Sequence, residues 1–210
     1  MSRRAVTVLV AASAAMALGG CVSVFPQAKP VQLYQLSPEV EAAPAAAAGR
    51  PAAVNIRLET VRFQQAAAGD RLLTVHDGEA AYVGGARWVS PAEILFEEGL
   101  TRAFAEHATS VRLVPHSAMT GTAYGLSVDM DRFQVSMEGG TPNVETALRA
   151  RLIRFPEQTI AGEWRIDVSR KADANRVTSI VRAYNAALGA ALTTLVEETE
   201  DAAGARSTTP

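Results

Sequence analysis

Between residues 174 and 198, Val177, Ile180, Val181, Tyr184, Leu188, Ala191, Leu192, Leu195 and Val196 recur with the 3.6-residue period of an α-helix. An apolar stripe about five and a half turns long must be covered by another layer, and this requirement decides how the rest of the chain is read. Asp173 is the candidate N-cap of this helix. A second amphipathic helix is predicted over about 90–108. Ser90 reads as its N-cap, Pro91 as its first helical residue and Glu93 as the far side of a capping box. Val89 and Ile94 have the spacing of a hydrophobic staple. Phe96, Leu100 and Phe104 line one face, with Leu95 and Ala103 beside them.

The covering layer is written in strands. Val31 to Leu36 reads as a first strand. In the next, Val54, Ile56 and Leu58 alternate with Asn55, Arg57 and Glu59. Residues 71–77 and 80–83 form a predicted hairpin about Asp77-Gly78, a turn-forming pair. Gly84-Gly85 and Gly139-Gly140 also read as turns. Tyr124, Leu126, Val128 and Met130 share one face, but Phe133 and Val135 fall on the opposite parity, so a bulge or bend is expected near Asp131-Arg132. Val144 to Phe155 alternates, and Ile160, Gly162, Trp164, Ile166 and Val168 form one stripe. The order strands, helix, strands, helix predicts a single α/β domain, a mixed β-sheet with two main amphipathic helices packed on it. It spans 31–198, with an Ala/Pro-rich loop at 41–53 and a disordered polar tail at 199–210.

The amino terminus has another purpose. Arg3 and Arg4 precede the uncharged apolar run Ala5–Leu18, the layout of a secretory signal peptide. The run is short of the roughly 20 apolar residues that a membrane span needs. It ends in Leu18-Gly19-Gly20-Cys21, which resembles the bacterial lipobox: an aliphatic residue, two small residues and a cysteine. The resemblance implies cleavage of residues 1–20 and a diacylglyceryl group on Cys21, with a further acyl chain such as palmitate. Residues 21–30 then form a lipidated tether. More than one acyl chain makes such anchoring stable.

Removing the first 20 of 210 residues takes away Arg3 and Arg4 and moves the net charge from −2 to −4. That balance carries no footprint for nucleic acid or for a polybasic membrane contact. Cys21 is the one cysteine, so its lipidation leaves no thiol for a disulfide, a redox motif or a thiolate metal site. The domain must stand on its core.

Chemistry-bearing residues are sparse. His76, His107 and His116 share no metal-ligand spacing with a carboxylate. Gly125-Leu126-Ser127-Val128-Asp129 has one glycine of a nucleophile elbow, and it alternates as a strand does. Asp129 and Asp131 stand on one face of a strand, where alternate charges are the ordinary dress of a solvated sheet. These patterns support no catalytic residue, no cofactor and no metal, and the chain reads as a non-enzyme.

Taken in order, the lipobox at Cys21, Tyr34-Gln35-Leu36, the strand at 54–61, Tyr82, Arg87-Trp88 before Ser90-Pro91, the strands to Val168 and the long terminal helix resemble the ABC-type transport auxiliary lipoproteins. These are the PqiC-like components of MCE-type lipid transport systems. The resemblance implies a non-enzymatic periplasmic lipoprotein whose partners are an MCE-domain protein and, through it, an ABC permease and ATPase. Together they move lipids or other hydrophobic molecules between inner and outer membranes. Val22, in place of Asp after the cysteine, implies the outer membrane. Tyr34 and Trp88 are candidate partner contacts, each weighed against a plain role in the core. Self-association stays open. The alternative is a structural or assembly lipoprotein of another envelope complex, such as a secretion or pilus machine.

Overall fold

Alternation generates the sheet. Strand β2 (Val54–Phe63) turns Ile56 and Leu58 inward and Arg57 and Glu59 outward. A one-turn helix, α1 (Gln65–Ala68), leads into β3 (Arg71–His76) and β4 (Glu79–Trp88). These pair antiparallel about Asp77 and Gly78, whose φ angles of 48° and 81° give the left-handed turn that the sequence predicts. The computed structural model describes residues 30–39, 54–118 and 121–204. The predicted leader and the loop at 41–53 lie outside them, as does the tether short of Pro30.

Strand β6 (Tyr124–Ser136) organises the sheet. Its first half lies parallel to β2, from Ile56 opposite Tyr124 to Phe63 opposite Met130. Its end lies parallel to β3, with Thr74 opposite Val135. Its other edge pairs antiparallel along its whole length with β7 (Asn143–Arg154), which in turn pairs with β8 (Thr159–Lys171). A register shift between Met130 and Arg132 is the expected bulge. It lets Leu126, Val128 and Met130 before it, and Phe133 and Val135 after it, all face the core. The short strand β1 (Gln32–Tyr34) adds parallel to β4, and β5 (Val111–Val114) adds parallel to β2. The result is a mixed eight-stranded sheet.

Two helices pack on it. Helix α2 (Ala92–His107) buries Leu95, Phe96, Leu100, Ala103 and Phe104, and helix α3 (Val177–Gly204) lies along β7 and β8. Four details correct the sequence reading. Pro91, not Ser90, occupies the N-cap of α2, with no side-chain cap. The Pro91 carbonyl accepts from Ile94 and Leu95, and the Ala92 N–H donates to the Gly69 carbonyl, so the loop after α1 does the work assigned to a capping box. Asp173 does not cap α3 but accepts from Arg182 at 3.0 Å. Gly84-Gly85 is no turn: it lies inside β4, where Gly85 at φ 71° absorbs a bulge opposite β3. And α3 runs to Gly204, so residues 199–204 are helical rather than tail.

The extra turns have a local cause. One oxygen of Glu200 accepts from the Thr109 and Ser110 N–H groups at 2.7 and 2.6 Å, and from both hydroxyls at 3.1 and 2.8 Å. Partial burial pushes the Glu200 carboxyl upward, but these four bonds outweigh it and hold the group below the usual carboxylate range. A depressed folded value means that the clasp stabilises the protein above the unfolded value of about 4.3, and that this contribution fades as pH falls through the folded value. Glu200→Gln should cost about 1–2 kcal/mol at pH 7. In urea titrations the gap to the parent protein should narrow below about pH 4.

Candidate functional site

The structure separates the residues that carry chemistry. His76 ends β3, with Nε2 3.5 Å from the Asp77 carboxylate. His107 is buried in the last turn of α2, and His116 follows β5 with Nδ1 3.4 Å from Glu59. Ser127, Asp129 and Asp131 do share the outer face of β6, but the two aspartates are directed to different arginines. Asp129 accepts from Arg62 at 2.8 Å, and Asp131 accepts two bonds from Arg149 at 2.7 and 2.8 Å. Arg151 pairs with Glu163, and Asp167 lies between Arg165 and Arg132, whose hydrogen bonds hold its carboxyl below the ordinary range. The outer sheet face is thus a lattice of ion-paired charges, exposed and screened by solvent. Among the described residues no group of three or more His, Cys, Asp or Glu side chains could hold a metal ion.

Of the two aromatic candidates, Trp88 is corrected. It is 1 % exposed at the end of β4, edge-on to Tyr184 at 5.3 Å between ring centroids and tilted against Phe133 at 6.2 Å. A side chain so placed offers no surface to a partner; it joins sheet to helix. Burial also pushes the Tyr184 phenol well above its usual range, so the ring stays neutral. Tyr34 is half-buried on β1. Its hydroxyl donates to Gln32 at 2.6 Å, and its carbonyl accepts from the Val89 N–H at 2.9 Å.

Sequence reasoning missed the short segment after Tyr34. Leu36 is buried, the Ser37 N–H donates to Asn185 Oδ1 at 3.0 Å, and Leu36–Glu39 crosses both helices as a strap. Pro38 seats over Gly99 of α2, and the Glu39 backbone over Gly189 of α3. A Cβ at Gly189 would stand 2.2 Å from the Glu39 carbonyl oxygen. Helix propensity alone makes Gly189→Ala stabilising by about 1 kcal/mol. The close approach reverses the sign, and a loss of about 1–3 kcal/mol is expected. Urea midpoints, with faster proteolysis near Ser37, check this; a gain in stability would mean that the strap does not seat there. The site defined by these residues is structural: a helix-backed sheet whose first strand leads into a strap laid over Gly99 and Gly189.

This layering is that of a small α/β domain, and the same fold occurs in a Xanthomonas campestris protein assigned to the DUF330 family. That protein is 22 % identical, with a TM-score of 0.73 over 85 % of this chain and 100 % of its own. A second solved structure, of a protein described only as uncharacterized, is 13 % identical with a TM-score of 0.65 over 81 % of this chain and 99 % of its own. No curated protein matches. The family profile described as "ABC-type transport auxiliary lipoprotein component" matches residues 34–196, most of the chain, and the protein belongs to that family.

Proposed function

We propose that this protein is a lipid-anchored periplasmic lipoprotein of the outer membrane, acting as the non-enzymatic auxiliary component of an MCE-type ABC system for lipids or other hydrophobic molecules. One observation carries the reading: the family match begins at Tyr34, 13 residues after the lipobox cysteine, so the anchor signal and the auxiliary domain adjoin in one chain. Cys21 supplies the anchor. The domain presents its fold to an MCE-domain protein, and through it to the permease and the ATPase. The ion-paired outer sheet face and the dispersed histidines fit a protein that binds and positions rather than one that reacts.

Lipid anchoring raises the effective concentration of the domain at the membrane, so that a modest contact with a partner suffices. Deletion should sensitise the outer membrane to detergent, and the parent protein should restore it. A chain with Cys21→Ala behind an ordinary cleavable export signal should not. An envelope unaffected by deletion would count against the transport role.

A further inference from the structure

Trp88, Thr146, Tyr184 and Thr199 are each no more than 1 % exposed. Among the described residues Trp88 Nε1, Thr146 Oγ1, Tyr184 Oη and Thr199 Oγ1 find no hydrogen-bond partner. A buried polar group left unpaired costs its desolvation, and native interiors pair nearly all of them. Thr199 lies about four turns along α3 from Tyr184, roughly 22 Å away. The other three side chains meet around one ring. Phe133 stands 4.7 Å from Tyr184 and 6.2 Å from Trp88 between ring centroids, and those two rings are 5.3 Å apart. Thr146 is the residue directly opposite Phe133 across β6 and β7, buried on the same side of the sheet. Three elements, β4, β7 and α3, thus each bring an unpaired polar side chain to one aromatic cluster.

Their chemistry suits one small ligand. The indole N–H can only donate, whereas each hydroxyl both donates and accepts. A water molecule can accept from the indole and the phenol and donate to Thr146, which makes three bonds, the usual number for a buried water. A charged ligand would meet only aromatic and aliphatic core around these groups, with nothing to balance it. We propose that Trp88, Thr146 and Tyr184 bind one internal water between the sheet and α3. The water ties β4, β7 and α3 at a single polar point. Apolar contacts alone would let the alanine-rich face of α3, with Ala183, Ala187 and Ala191 buried, slide along the sheet; directional bonds fix where it sits.

The test uses the full-length protein. Thr146→Val and Tyr184→Phe keep the shape of each side chain and remove its hydroxyl. Each should lower the urea midpoint, and the double variant should lose clearly less than the sum, because the second deletion finds the water already gone. Relaxation dispersion of the solvent oxygen, which counts long-lived internal waters, should lose one such water in either variant. With Trp164→Phe leaving Trp88 as the one tryptophan, its emission should be that of a hydrogen-bonded indole. A midpoint that either substitution leaves unchanged or raises overturns the site, since deleting an unpaired buried hydroxyl removes a cost and not a bond. Additive losses place the two hydroxyls in separate contacts and overturn it too. Coupled losses with an unchanged water signal assign the coupling to a direct bond between the two side chains and exclude the water. The fine-structured emission of an unbonded indole overturns the site as a three-point one.

Discussion

Trp88→Ala should lower the free energy of unfolding by about 3–5 kcal/mol, the upper range for a single side chain and a large share of what a domain of this size has to lose. The ring is essentially fully buried and lies against Tyr184 and Phe133, while Phe133 also packs edge-on against Phe63 at 5.5 Å. Removing it leaves a void bordered on one side by β6 and on the other by α3, the two elements that define the layers. Neither can collapse into the space without dragging its own hydrogen-bonded ladder or helix along. Tyr34→Ala, at a half-buried edge position, should cost about 1 kcal/mol or less. Urea unfolding of both variants separates the roles. A Trp88 variant that unfolds at the parent midpoint would contradict the core assignment and return that residue to the surface.

The second large effect lies outside the folded domain. A chain carrying Cys21→Ala behind an ordinary cleavable export signal should move from the membrane fraction almost entirely into the soluble periplasmic fraction. One acyl chain gives marginal, reversible attachment, whereas two or three make it effectively permanent, so the response is close to all-or-none. The change should leave the urea midpoint untouched, because Cys21 precedes the first strand, β1, by more than ten residues. Fractionation with immunoblotting, beside an unfolding curve, reads both. Retention at the membrane after loss of the cysteine would point to attachment by protein contacts instead.

What the sequence made legible was whatever depends on period. The stripes of α2, α3 and the long strands, the hairpin at Asp77-Gly78 and the bulge near Asp131 could all be read, because a buried face imposes alternation or a 3.6-residue repeat on its own segment. The features it hid come from contacts between distant segments. Strand β5 is only four residues, too short to show a period, and it is held by β2. The cap of α2 is supplied by Gly69, more than twenty residues upstream, so the local Ser-Pro-Ala-Glu signature named the right helix with the wrong cap. The last turns of α3 depend on Thr109 and Ser110 catching Glu200, which in sequence looks like part of a polar tail. The glycine at 189 reads as a weakness in a helix until the strap at Glu39 shows what it makes room for. The candidate site follows the same logic. Trp88 before a helix suits a docking residue or a core residue equally by sequence, and only its neighbours across the sheet decide between them.

In-cell crosslinking from the folded domain, read by mass spectrometry, tests the central claim most directly. Photo-reactive residues placed on the exposed faces of α2 and the sheet, in the parent chain and in the Cys21→Ala chain, report which proteins lie alongside. The account predicts capture of an MCE-domain protein in the parent and its loss when Cys21 is replaced. Capture of secretin or pilus components, or of the same partner with and without the cysteine, would contradict it.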